Sequence, residues 1–420
     1  MLTRLDQDTP AYDTTLRELT RRGDADLERV EPVVRDIIQN VRQRGDQALR
    51  EYTKRFDHRE PEHFALHDWR DQARTAVSAD SRAALQKAAD RVRRYHEHQR
   101  DAGFRYTEDG IELGQRVRPM RSVAVYAPGG KARYPSTVLM SAIPAAVAGV
   151  PRIVLVTPKP EGAVLAAAEL AGVTEVVDAG GAQAIAAAAY GTETVARVDK
   201  IVGPGNLYVT CAKRLVYGVV DIDSIAGPSE ILVVADDRAN ARVVAADLLS
   251  QAEHDEAAYP LLITLSRAQA DAVTREVERQ LNELPRREIA AASLRDHGFC
   301  FVVRDLAEAA RVADLLAAEH LSLQVRDPDA LFGQIGAAGA VFLGDHTPEA
   351  AGDYAAGPSH VLPTGGAARF SSPLGVYDFV VRSSLIRYER EAILGQKALL
   401  AELARMEGLE AHARASLVRE

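Results

Sequence analysis

Val123-Ala124-Val125-Tyr126, closed by Pro128-Gly129-Gly130, is the stretch on which the fold turns. A short apolar run with no polar face, ending in glycines, reads as a strand buried on both sides. Helical spacing follows from Thr137 to Ala148, then Ile153-Val154-Leu155-Val156, a helix near 163–171 and Glu175-Val176-Val177. A further helix over 182–190 precedes Lys200-Ile201-Val202 and the turn Gly203-Pro204-Gly205. Strands alternating with helices predict parallel βαβ units, and glycines just after strands are where such folds hold ligands. After a link near 223–229 the alternation resumes. Strands are expected at Ile231–Ala235, Leu261–Leu265, Phe301–Val303 and Ala340–Leu343, with helices over 239–252, 268–282 and 306–318. Residues 22–52 and 77–101 carry helical spacing, and the tail from Val376 reads as helical.

Composition narrows the function. A chain of 420 residues, 47% hydrophobic and 26% charged, suits two or three globular domains. The net charge of -9, with no basic run, predicts no nucleic-acid partner and no affinity for an anionic membrane. The longest apolar runs fall far short of a membrane span. Met1-Leu2-Thr3-Arg4 turns polar at once, so no secretory signal is visible and the cytoplasm is the expected compartment. The 2 cysteines, Cys211 and Cys300, exclude a disulfide framework and a thiolate metal cluster, and are expected to be buried thiols. Cys211 follows Leu207–Val209, which reads as strand-like.

No G-x-G-x-x-G follows a strand, and Gly129-Gly130-Lys131 lacks the spacing of a phosphate loop. The glycine clusters also suit plain turns. Tyr126 at a strand end, Gln183 after Gly180-Gly181, and Asn206 after Gly-Pro-Gly nonetheless fall along the carboxyl edge of one sheet, where they can meet a nucleotide. Four polar clusters carry the chemistry. Gln251 and His254 lie three apart near a helix end, offering an amide oxygen and an imidazole to a metal. Glu319-His320 joins a carboxylate to an imidazole that titrates near neutrality. Asp353 and His360 sit in a loop rich in Gly and Pro, Asp353 as an oxygen donor and His360 as a substrate contact. Glu407 and His412 flank Gly408 in a polar helical tail. Read singly, each pair also suits an ordinary surface or helix end.

Taken together, these segments resemble the histidinol dehydrogenase family. Ile222-Asp223-Ser224-Ile225-Ala226-Gly227-Pro228-Ser229-Glu230-Ile231-Leu232-Val233-Val234-Ala235 is similar to its signature almost unbroken. Ala127-Pro128-Gly129-Gly130, Gly181-Ala182-Gln183-Ala184-Ile185, Leu249-Ser250-Gln251-Ala252-Glu253-His254, Glu319-His320-Leu321, Ala351-Gly352-Asp353-Tyr354, His360-Val361-Leu362-Pro363-Thr364 and Glu407-Gly408-Leu409-Glu410-Ala411-His412 follow in order. The resemblance implies an α/β fold of two incomplete Rossmann-like domains with small helical terminal segments. The implied division is an N-terminal helical segment (1–21), a discontinuous first domain (22–122 and 230–372) carrying zinc and catalytic residues, an inserted NAD domain (123–229), and a C-terminal helical dimerisation segment (373–420).

The resemblance also implies roles. Gln251, His254, Asp353 and His412 match zinc ligands, one zinc per subunit. Glu319 and His320 match the catalytic pair. Ser229, Gln251, His254, His320, Asp353, His360, Glu407 and His412 match substrate-binding positions, and Tyr126, Gln183 and Asn206 match NAD contacts. The implied reaction is oxidation of L-histidinol through L-histidinal to L-histidine with two NAD, the final step of histidine biosynthesis. The implied assembly is a homodimer whose site is completed by the partner's C-terminal segment. Gly357-Pro358-Ser359-His360 departs from the family's commoner Gly-Thr-Asn-His, which predicts a change in loop stiffness. Relatives of the same fold oxidise other alcohols, including a sulfonated diol; Glu407 and His360 favour a cationic imidazole-bearing substrate instead.

Overall fold

The computed structural model describes residues 2–22, 27–61, 63–75, 77–129 and 134–419. Gly130 and Lys131 of the first glycine loop lie outside the described residues. Two parallel sheets form the frame. One has five strands in the order Glu175–Val177, Arg152–Val156, Ser122–Tyr126, Lys200–Val202, Asp221–Ile222. The other has six, in the order Thr3–Asp6, Phe299–Val302, Tyr259–Thr264, Glu230–Ala235, His320–Gln324, Ala340–Leu343. All of their strand pairs are parallel. Ser122–Tyr126 and Glu230–Ala235 are buried at every residue, which accounts for the unbroken apolar runs.

The helices over Leu27–Asp57 and Ala79–Glu97 depart from the expected division. The first packs on Gly181–Tyr190 and Leu207–Val216, the second on Pro135–Ala148 and Ala163–Ala171, so they cover the five-stranded sheet and do not belong with the six-stranded one. Leu27, Val30, Val34, Ile37 and Val41 meet the alanine-rich face of Gly181–Tyr190 in one core. The 1–21 segment is also corrected. Thr3–Asp6 is an edge strand of the six-stranded sheet, with Tyr12 and Leu16 packed beneath it. The tail is not wholly helical either: Val380–Tyr388 pairs antiparallel with Ile111–Pro119, which pairs with Phe104–Glu108. Leu207–Val209, read as strand-like, opens the helix Leu207–Val216; Asn206 caps it by accepting from the Tyr208 and Val209 N–H groups, each at 3.1 Å.

The link after Asp221–Ile222 positions the site. It leaves the carboxyl edge of the five-stranded sheet and enters the amino edge of the six-stranded one at Glu230, so the two edges face each other. The turn at Gly203 on the first edge is clamped by a buried pair. Lys213 donates to the Gly203 carbonyl at 2.9 Å and pairs with Asp223, which accepts from the Gly203 N–H at 2.7 Å. Gly203 has φ +111°, and a Cβ there would lie 2.1 Å from the Tyr126 carbonyl oxygen. The atoms it would meet all belong to the Tyr126 backbone, which cannot swing aside as a side chain can. Gly203→Ala is expected to cost about 2 to 4 kcal/mol in urea denaturation; unchanged stability would contradict this placement.

Candidate functional site

Glu319 and His320 stand at the amino end of His320–Gln324, beside Glu230–Ala235. These neighbours mark the switch point of the sheet, because the chain order runs outward from them in opposite directions. Ala317, with φ +43°, stops the preceding helix and turns the chain into the strand. Parallel register sets His320 opposite Ile231. That register brings the Glu230 N–H within 2.8 Å of Glu319 Oε2, and the Glu230 carbonyl within 2.9 Å of His320 Nδ1. A carbonyl only accepts, so Nδ1 carries the proton and Nε2 presents a lone pair. Nε2 is buried with no hydrogen-bond partner among the described residues. Burial holds His320 down to about 4, as a neutral imidazole.

The helix Glu349–Tyr354 faces Nε2. Glu349 and Asp353, one turn apart, turn inward and are buried. His320 Nε2 lies 3.7 Å from Glu349 Oε1 and 3.8 Å from Asp353 Oδ1. Donor atoms of these three residues lie within 4.8 Å of one another, a spacing that suits one metal ion. Burial raises both carboxyls above the usual carboxylate range; the Asp353 charge raises Glu349 further, while the Glu349 hydrogen bond partly offsets the rise at Asp353. Burial also pushes Glu319 well up, and Asp247 up to about 7. Ser250 Oγ donates to Glu349 Oε2 at 2.9 Å, while Gln324 donates to Asp247 at 2.8 Å. Glu349 was absent from the sequence reading, although its spacing of four from Asp353 carried the signal.

The other expected residues distribute as follows. Gln251 is fully buried, and neither its amide oxygen nor its nitrogen finds a partner among the described residues. Such an orphaned amide on the helix Ala241–Ala252 fits a ligand or ion held beside it. His254, just past that helix, acts electrostatically on His320, Glu349 and His360, which places it at the same centre. His360 bridges the two sheet units: Nδ1 donates to the Asp353 carbonyl at 3.1 Å, and Nε2 accepts from Thr137 Oγ1 at 3.0 Å. Both of its ring nitrogens are thus engaged. In the divergent loop, Ser359 Oγ accepts from the Val361 N–H at 3.1 Å, an internal tie that stiffens the approach to His360. Ser229 lies on the link between the sheets, and its carbonyl accepts from the Tyr259 N–H at 2.9 Å.

Across the crevice, Tyr126 Oη accepts from the Gly181 N–H at 3.1 Å, and burial raises its hydroxyl to about 12. Gln183 is buried with both amide atoms unpartnered, whereas the Asn206 side-chain oxygen is spent on its helix cap. Glu407 and His412 are exposed on either side of Gly408, which breaks the tail into Arg390–Met406 and Glu410–Leu417. The chain's own cluster does not include His412. Beside His254 opens a cavity of about 940 Å³, with Arg91, Arg94, Arg286, Tyr134 and Tyr354 in its wall. Cys211 and Cys300 are buried, and burial raises both thiols, Cys300 to about 12. Among the described residues, no helix is long and apolar enough to cross a membrane.

Comparison with known proteins shows the family. The sequence profile of the family described as histidinol dehydrogenase matches residues 20–420. The histidinol dehydrogenase of Aquifex aeolicus is 52% identical over 408 residues, covering 96% of each chain. That of Bacillus subtilis is 50% identical over 410 residues, again 96% of each. The crystal structure of histidinol dehydrogenase from Elizabethkingia anophelis superposes with a TM-score of 0.93 at 35% identity, covering 100% of this chain and 98% of that one.

Since Asp353 holds its proton more tightly than an ordinary carboxyl and lies against the likewise raised Glu349, a divalent cation that takes Asp353 as a ligand displaces a proton from this pair. Zinc affinity is expected to fall about tenfold per pH unit for each proton displaced as the pH drops below about 7. Titration calorimetry in two buffers of different ionisation enthalpy reads the proton count; no release at about pH 6.5 would contradict the raised pair.

Proposed function

The chain belongs to the histidinol dehydrogenase family, and from that premise we propose a division of labour among its buried polar residues. It is an NAD-dependent oxidoreductase that carries L-histidinol through L-histidinal to L-histidine, with zinc and NAD as cofactors. The nitrogen and oxygen donors at the site suit zinc. Gln251, His254 and Asp353 hold the ion from one subunit. Zinc, when bound, supplies positive charge and fixed directions that pin the substrate's amine and imidazole. NAD, when bound, accepts the two hydrides; Tyr126, Gln183 and Asn206 line its crevice.

His320 Nε2 takes the hydroxyl proton as hydride leaves the carbinol carbon. Once His320 has passed that proton to solvent, Glu319 draws a proton from water as its oxygen attacks the aldehyde carbon, giving the hydrate as its oxyanion. His320 takes a second proton when the hydrate gives up hydride, leaving the carboxylate. The observation that carries this assignment is the neutral His320 ring, with its proton committed to the Glu230 carbonyl and its other nitrogen bare. Burial raises Glu319, which makes its carboxylate a stronger base than an ordinary one. Ser229 and His360 contact the substrate from the link and the 357–366 loop. Neither cysteine takes part, because a buried, protonated thiol is a poor nucleophile.

Glu407 and His412 act across a homodimer. The cavity beside His254 is lined by Lys87, Arg91, Arg94 and Arg286, and the C-terminal tail offers Glu402, Glu407 and Glu410. Leu403, Met406 and Leu409 are exposed on that tail, as apolar residues awaiting an interface are. In this reading Glu407 of the partner subunit meets the substrate and the partner's His412 completes the zinc site.

Two NADH per histidinol consumed is the expected stoichiometry. His320→Asn is expected to lower kcat by about 100-fold or more while zinc content and folding hold; normal turnover would overturn the base assignment. Mixing inactive Glu319→Gln subunits with inactive His412→Ala subunits is expected to restore activity to about a quarter of the wild-type level, because half the dimers are mixed and each carries one intact site. Proven heterodimers without activity would show that His412 serves its own chain.

A further inference from the structure

Glu230 has no role in the reaction as derived above, yet its contacts reach every side of the acid–base pair. Its N–H holds Glu319 and its carbonyl holds His320. Its carboxylate accepts from the Gly365 N–H, at the end of the loop that carries His360. The same carboxylate takes a two-pronged bond from Arg22, through Nε at 3.1 Å and through Nη2. Both side chains are buried, 2% and 1% exposed. Arg22 also donates to the Leu316 carbonyl at 2.6 Å and to the Leu19 carbonyl at 2.7 Å. Leu316 is the last residue of the helix that leads into Glu319.

A buried ion pair is a poor way to stabilise a core, since desolvation offsets most of its attraction and an apolar pair packs as well. What the guanidinium fork adds is direction. One planar group here fixes the start of Glu230–Ala235 against the helix end before His320–Gln324. Among the described residues, Glu230 supplies the peptide groups that bond both catalytic side chains, so a tilt at this residue moves the donor to Glu319 and the acceptor from His320 together. The neighbouring Gly227 N–H donates to Thr364 Oγ1 at 2.6 Å, a second stitch between the 227–230 link and the 361–366 loop.

We propose that Glu230, clamped by Arg22, is a positioning residue for Glu319 and His320, and that the N-terminal segment thereby governs the chemical step. The proposal rests on the acid–base assignment of Glu319 and His320.

The test is a mutant cycle on the zinc-loaded full chain. Glu230→Gln is expected to lower kcat about 10- to 100-fold, with KM for histidinol and for NAD changed less than about threefold and zinc retained. In a His320→Asn background the same substitution is expected to cost less than about threefold, because the group it positions is already gone. Equal losses in both backgrounds, or a loss carried by KM, would mark a merely structural residue and overturn the proposal. Should Glu230→Gln fail to fold, Arg22→Met/Glu230→Gln removes both charges and leaves no unpaired ion, and the same cycle is run with it. Wild-type kcat in that double variant also overturns the proposal. Normal turnover in His320→Asn alone sinks the acid–base assignment instead, so the two failures are told apart.

Discussion

One hydrogen bond organises the site: His320 Nδ1 donating to the Glu230 carbonyl at 2.9 Å. It decides which ring nitrogen is bare, and that decides where a proton can go. The bond exists because two parallel strands begin side by side in a fixed register, with His320 opposite Ile231. Side chains on flexible loops would have to spend entropy to hold this tautomer. Here the ladder holds it before any ligand arrives.

The setting is electrostatically costly. Asp247, Glu319, Glu349 and Asp353 are all buried, and burial raises each carboxyl. The buried guanidinium of Arg22 is already taken by Glu230. A pocket so rich in acid and so short of positive charge is stable by staying protonated or by receiving a cation. Stability has been given up locally for a site whose charge is completed from outside, as functional sites commonly are. The link 223–229 makes this possible. It sets the amino edge of one sheet against the carboxyl edge of the other, where His360 reaches Thr137 across the gap.

Much of this was legible in the residues. Ser122–Tyr126 and Glu230–Ala235 announced buried parallel strands, because a strand covered on both faces has no polar side to confuse its reading. The Glu319-His320 pair was not legible by itself, since a helix end meeting a strand offers the same dipeptide; only the ordered series of motifs it belongs to singled it out. Other parts were not. The apolar stripe of Leu27–Asp57 says that a partner exists, not which sheet supplies it. Thr3–Asp6 is too short to show a period, and Val380–Tyr388 pairs with Ile111–Pro119 far away in sequence, as a largely exposed strand with little apolar patterning. Glu349 follows a proline in a stretch that reads as loop, so its spacing of four from Asp353 gains meaning only once the helix Glu349–Tyr354 turns both toward His320. The burial of Arg22 depends on the three-dimensional meeting of chain segments. Glu407 and His412 remain exposed on a single chain, so a motif can name them but a lone subunit leaves them without a site.

The most direct measurement is the ring state of His320 in the protein labelled with ¹⁵N-histidine, its signals assigned by their loss in His320→Asn. At neutral pH this account predicts a neutral ring with the proton on Nδ1 and none on Nε2. A proton on Nε2, or an imidazolium, would contradict it.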